Sequence, residues 1–212
     1  MPGASGSRSV ASMNYALAYK IGFHPWEDAL DMPPFVERIT ELFVEEERRQ
    51  DPPYGPALDI GTGSGIWGIE LAKRGWEVTG IDIVNNALRR ARARVKEASV
   101  DMRLVKGDVT ALREADVGSG YRLVLDTGTF HGLPSAEREA MGQEVSAIAA
   151  PGATVLMVAW NPRRRGPFPR GVSHAEIERA FPGWSATDLG PSGFHAPKPL
   201  RAVEHWYRLR RA

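Results

Sequence analysis

The sequence predicts an α/β fold: a mostly parallel sheet with helices on both faces. Three observations carry that expectation. Short apolar runs alternate with helix-spaced amphipathic runs from residue 57 to residue 160. The first apolar run ends in alternating glycines, as a strand does when it turns sharply into a helix. The last two apolar runs, 184–189 and 203–209, flank a glycine- and proline-rich loop and read as an antiparallel pair.

Residues 1–12 are small and polar and read as a disordered tail. Residues 13–30 gather Tyr15, Tyr19, Phe23 and Trp26. Asp31 is the expected cap of a helix with Pro33 and Pro34 in its first turn. Phe35, Ile39, Leu42 and Phe43 then lie at helical spacing, and Asp51-Pro52-Pro53-Tyr54-Gly55-Pro56 ends the run. Residues 57–60 read as the first strand and 65–73 as the helix behind it. A second strand covers 77–83, and an arginine-rich helix 85–97. Strands follow at 102–105 and 121–125. Ser135 is the expected cap of a helix reaching about residue 149, and Pro151-Gly152 turns into a fifth strand, 153–160. Ser173 and Glu176 form a capping-box pair ahead of Ile177–Phe181.

The 212 residues suit one domain with a short appendage: a tail 1–12, a helical segment 13–50 and a main domain 51–212. Net charge is +1, so no strongly acidic partner is called for. A duplex-DNA binder would carry a larger basic excess. With no cysteine, a disulfide framework, cysteine-ligated zinc and a cysteine nucleophile are excluded, and no metal site is expected. No apolar run approaches a membrane span, and the first residues lack the apolar core of a signal peptide. A cytoplasmic protein is expected.

The chemistry is concentrated at the predicted strand ends. The first strand runs into Asp59-Ile60-Gly61-Thr62-Gly63-Ser64-Gly65. A nicotinamide or flavin site would read G-x-G-x-x-G. Its third glycine is replaced here by Ile66. The second strand ends in Asp82-Ile83, the third in Gly107-Asp108-Val109, and the fourth in Asp126-Thr127-Gly128-Thr129-Phe130-His131.

The D-x-G-x-G-x-G stretch resembles motif I of class I S-adenosylmethionine (SAM)-dependent methyltransferases. The later strand ends follow the order and spacing of that family, especially its small-molecule members. Size and an amino-terminal Trp give a loose similarity to thiopurine and tellurite-resistance methyltransferases. The resemblance implies a Rossmann-like seven-stranded sheet, mostly parallel, with an antiparallel strand near the C-terminus and an N-terminal helical lid. It implies SAM as cofactor. Asp59, Gly61, Thr62, Gly63 and Gly65 would line its methionine end, and Asp82 and Ile83 would hold ribose and adenine. Asp108 and Val109 would hold adenine, and Asp126 and Thr127 would border the reaction centre.

The expected reaction is methyl transfer to a small-molecule acceptor at oxygen, nitrogen or sulfur. A methyltransferase acting on RNA or protein, a non-catalytic SAM-binding module and an NAD-dependent enzyme are the alternatives. His131, five residues past Asp126, is the candidate general base, with His24 a weaker one. Tyr15, Tyr19, Trp26 and Phe130 are candidates to face substrate or form the lid. Asp51-Pro52-Pro53-Tyr54 imitates the D-P-P-Y signature of amino-nitrogen methyltransferases, but only four residues separate it from Asp59. A strand and a parallel crossover cannot fit there, so it reads as a proline turn. Arg163-Arg164-Arg165 reads as a solvated loop.

Overall fold

The computed structural model describes residues 30–163, 170–194 and 203–212. The described chain forms one seven-stranded sheet. Its strands are β1 (Pro56–Ile60), β2 (Glu77–Asp82), β3 (Met102–Lys106), β4 (Tyr121–Asp126), β5 (Ala149–Trp160), β6 (Trp184–Pro191) and β7 (Glu204–Arg211). The spatial order is β3-β2-β1-β4-β5-β7-β6. Pairs β3–β2, β2–β1, β1–β4 and β4–β5 are parallel, and β7 is antiparallel to both β5 and β6. This is the Rossmann-like sheet the sequence predicts, with its antiparallel strand near the C-terminus.

The helices are α1 (Pro33–Glu47), α2 (Ile66–Lys73), α3 (Asn85–Ala98), α4 (Ser135–Ile148) and α5 (His174–Ala180), with a single 3-10 turn at Phe130–Gly132. Strand periodicity sorts the core into two layers. Leu58, Ile60, Val124, Val155 and Met157 face a cluster with Met141, Val145 and Ile148 of α4 and Ile177 of α5. Ala57, Leu123, Leu125, Leu156 and Val158 face the other cluster, with Phe35, Ile39, Leu42 and Phe43 of α1 and Trp67 of α2. Helix α1 is also tied to the sheet by charge. Glu46, 4% exposed, accepts from both terminal nitrogens of Arg210 at 2.6 and 2.9 Å and from the Thr154 hydroxyl at 2.9 Å.

Three boundaries differ from the sequence reading. The residue before α1 is Met32, not Asp31, and no side chain caps that end. Two prolines in the first turn lack the N–H groups that a cap would satisfy, so the cap has little to do. Helix α4 begins at Ser135, with Pro134 in the cap position. Strand β5 begins at Ala149, which pairs with Tyr121 before a register shift. Pro151 and Gly152 therefore bulge within the strand edge instead of preceding it. The Ser173–Glu176 capping box is present as expected. Asp51, Pro52 and Pro53 are exposed ahead of β1, in loop as expected, and Tyr54 packs on Trp76 with ring centres 5.3 Å apart and planes tilted by 32°.

From β3 at one edge the chain returns to pair β4 with β1. The crevice where the order reverses lies at the carboxyl ends of β1 and β4, where such sheets bind ligands. All four acid-bearing strand ends open at that end of the sheet. A polar cleft of about 740 Å³ lies at the opposite, amino end, lined among others by Glu77, Asp101, Arg103 and Tyr121.

One close approach governs the layer behind β4 and β5. A Cβ on Gly142 of α4 would sit 1.8 Å from the carbonyl oxygen of Ala180 in α5. Gly142→Ala must therefore push the two helices apart. It is expected to destabilise the protein by about 1–3 kcal/mol, the usual cost of forced overpacking, measured by urea denaturation. A loss indistinguishable from zero would show that α4 and α5 slide freely.

Candidate active site

The loop from β1 to α2 is shaped by three glycines at positive φ: Gly61 (+61°), Gly63 (+56°) and Gly65 (+82°). A Cβ at Gly61 would come 1.9 Å from the Thr129 hydroxyl, so this glycine also lets the loop after β4 pass underneath. The loop is held by its own amides: Thr62 N donates to Ile81 O at 2.9 Å and Gly63 N to Asp82 Oδ2 at 2.9 Å. The Thr62 hydroxyl donates to Asp59 Oδ2 at 2.5 Å. The first two strand ends are thereby fastened into one unit.

Asp59 is 1% exposed, and its Oδ1 accepts nothing among the described residues. Burial pushes its carboxyl up to about 7, against the Thr62 and Gly68 hydrogen bonds, with Asp126 and Asp82 adding repulsion. Asp82, 8% exposed, accepts Gly63 N on Oδ2 and Val84 N on Oδ1 at 2.7 Å. Burial also raises this carboxyl, while the amides hold it down. Each oxygen keeps one further lone pair for a ligand hydroxyl.

Ile83 stands 61% exposed directly after Asp82. Across β3, Asp108 is exposed and its Oδ1 accepts from the amide and hydroxyl of Thr110 at 2.8 and 2.7 Å. Val109 is buried behind it.

Asp126 closes β4. It is wholly buried, and its oxygens accept the amides of Gly128 (2.9 Å), Thr129 (2.6 Å) and Phe130 (2.9 Å). Burial raises it to about 6 despite those three bonds. It organises the turn from within, leaving the half-buried Thr127 nearer the surface.

Phe130 lies in the 3-10 turn that follows β4. It is fully buried and lies 5.7 Å from Phe181, because the 3-10 turn points it into the α4–α5 layer. His131, the next residue, is 6% exposed and stacks on Trp160 of β5, with ring centres 4.8 Å apart and planes at 18°. Tyr15, Tyr19, His24 and Trp26 lie outside the described residues, as do Arg164 and Arg165. Arg163 is exposed, and its amide donates to Arg170 O at 2.7 Å.

Two residues at this end escaped the sequence reading. Arg138, 5% exposed, donates to the carbonyls of Phe130 (3.2 Å), His131 (3.0 Å) and Gly171 (3.1 Å) and pairs with Glu176. Its spacing to Met141, Val145 and Ile148 on the buried face of α4 was a readable signal. Glu204 is 8% exposed at the start of β7, where a charged residue shares strand parity with the buried Trp206.

The comparisons agree with this geometry. The family described as "Methyltransferase domain" matches residues 57–152. The 2-heptyl-1-hydroxyquinolin-4(1H)-one methyltransferase of Mycobacteroides abscessus is 27% identical over 179 residues, 81% of this chain and 73% of its own length. Four further curated methyltransferases are matched over only 19–41% of their lengths. Among solved structures, a SAM-dependent methyltransferase of Clostridium acetobutylicum superposes with a TM-score of 0.68 at 13% identity, covering 92% of this chain and 99% of that one. The magnesium protoporphyrin IX methyltransferase of Synechocystis, solved with SAM, gives 0.64 at 19% identity, covering 83% and 79%. With the glycine loop, the acid-tipped strands and the strand order, these matches give the chain a methyltransferase domain over residues 57–152, on the Rossmann-like fold shared by S-adenosylmethionine-dependent methyltransferases.

Proposed function

We propose that the chain methylates a small molecule, and that His131 serves as general base when the acceptor is a protonated hydroxyl. The observation that carries the acceptor class is the Mycobacteroides relative, aligned along most of both chains, which is named for methylating 2-heptyl-1-hydroxyquinolin-4(1H)-one. The observation that carries the base is the placement of His131. It follows β4 and lies against Trp160, the last residue of β5, at the carboxyl end of the sheet.

The residues present fit the cofactor. The backbone of Gly61–Gly65 makes the cradle for the amino-acid end, and Asp82 has lone pairs left for the ribose. Ile83 would cover one face of the adenine, and Asp108 Oδ2 would accept from its exocyclic amine. Asp59 and Asp126 lie beneath that surface and hold the two loops in shape. When bound, SAM supplies a methyl group already activated on a sulfonium. The chain is left to align the acceptor, exclude water and remove a proton where there is one.

Three outcomes test this assignment. Ile83 is mostly exposed, so Ile83→Ala should leave the thermal midpoint unchanged. It should still weaken SAM binding by about 1–2 kcal/mol, the value of the apolar area removed. Calorimetry giving the parent Kd would show that adenine lies elsewhere.

The raised carboxyls make a second prediction. Asp59 and Asp126 bind their protons more tightly folded than unfolded. The folded state then holds more protons between about pH 4 and pH 7, so stability falls as pH rises through that window. Urea denaturation of the ligand-free protein should give a lower midpoint at pH 7.5 than at pH 5.5. The opposite order would mean that both acids are ionised in the folded protein well below neutrality.

His131→Ala should lower kcat by roughly 10²–10⁴ with a hydroxyl acceptor. SAM affinity should be unchanged, and activity should partly return at high pH. A variant with the parent's rate and pH profile on such an acceptor would remove His131 from the reaction.

A further inference from the structure

Glu204 has no part in the chemistry above, yet it lies at the same end of the sheet. It pairs with Trp160 in the β5–β7 register. Its Oε1 accepts the Trp160 indole N–H at 3.0 Å, and its Oε2 accepts the Ser192 hydroxyl at 2.7 Å. Its backbone carbonyl accepts Ser192 N at 2.8 Å. One carboxylate thus joins the ends of β5, β6 and β7. Among the described residues both side-chain donors are neutral, and burial pushes this carboxyl up to about 7.

A glutamine would serve the same geometry. Its carbonyl could accept from the indole and its amide could donate to the serine. Burying an amide costs far less than burying a carboxylate without a cation. Hydrogen bonding alone therefore does not require a carboxylate here. What the carboxylate adds is charge, applied to the N–H edge of Trp160. The ring of that tryptophan lies against His131 at 4.8 Å and 18°. An indole fixed through its N–H holds a stacked ring in one plane. A carboxylate on that N–H makes the indole face richer in electrons, and such a face favours a cation.

We infer that Glu204 is a positioning residue, acting through Trp160 to orient the His131 imidazole and to favour its protonated form. The inference rests on the reading of His131 as base only for its relevance to catalysis. The structural chain from Glu204 to His131 can be tested without an acceptor.

Other charged groups face this chain among the described residues. Arg138 of α4 donates to the His131 carbonyl and pairs with Glu176 of α5, as does Arg170. Asp126 of β4 is enclosed by its own turn. Asp188 of β6 pairs with His205 of β7 at 2.9 Å, and His174 lies edge-on to Tyr207. All of these stay in place when Glu204 becomes glutamine, so a comparison of the two proteins isolates the carboxylate.

The experiment is an NMR titration of the His131 imidazole, assigned by its loss in His131→Asn, in the parent and in Glu204→Gln. The midpoint should fall by up to roughly 0.5 pH unit, less than for a full unit charge because Glu204 is itself only partly ionised where an imidazole titrates. Thermal unfolding of Glu204→Gln at pH 8 should be no easier than that of the parent, which shows the fold intact. Trp160→Phe keeps a ring under His131 without the N–H, and its midpoint should move the same way. A midpoint unchanged or raised in both variants overturns the inference and leaves Glu204 as a staple between strands. The kinetics of His131→Ala decide the base assignment separately. A failed base with a shifted titration is thus told apart from a working base with an unshifted one.

Discussion

The site depends on one constraint: where parallel strands end together, the amides of their exit loops need acceptors inside the protein. Aspartates meet that need here. Asp82 takes the amides of Gly63 and Val84, and Asp126 takes three successive amides of its own turn. Asp59 takes the hydroxyl of Thr62. Each acid shapes a loop first, and only then can it or its neighbours meet a ligand. Because Asp82 bonds across to the β1–α2 loop, the glycine turn cannot move without disturbing the end of β2.

That order of duties explains what could be read from the sequence and what could not. The alternation of strands and helices was legible because the core is sorted by simple periodicity into two layers. The glycine loop was legible because three residues at positive φ leave few alternatives to glycine. A strand-end aspartate, in contrast, looks the same whether it points to solvent or into its own turn. Asp82 and Asp126 both close a strand, yet one is near the surface and the other wholly enclosed. The difference lies in three backbone amides, which no sequence pattern displays.

Phe130 and His131 make the same point over a single residue. Both belonged to a segment expected to face the acceptor. The 3-10 turn sends Phe130 into the layer with Phe181 and sets His131 against Trp160. Arg138 then clamps the carbonyls of both from below. Sequence reasoning missed that arginine because a charged residue on a helix is ordinarily solvated. Its place on the buried face of α4 was readable from its spacing to Met141, Val145 and Ile148, but its partners, carbonyls seven and eight residues upstream, were not.

A cluster of buried acids is a poor choice if stability were the only demand. Asp59, Asp126 and Glu204 all carry raised carboxyls, so the folded chain is disfavoured as they ionise near neutrality. Neutral residues could meet most of the same hydrogen bonds. What they could not supply is a negative field at the end of the sheet where a sulfonium and an ammonium are expected. A cation entering that field stabilises the ionised acids and is stabilised by them, by reciprocal linkage. The neutral thioether left after transfer lacks the sulfonium's share of that attraction. On this view the cost of the buried charges in the empty protein and its preference for a charged donor are two consequences of one arrangement.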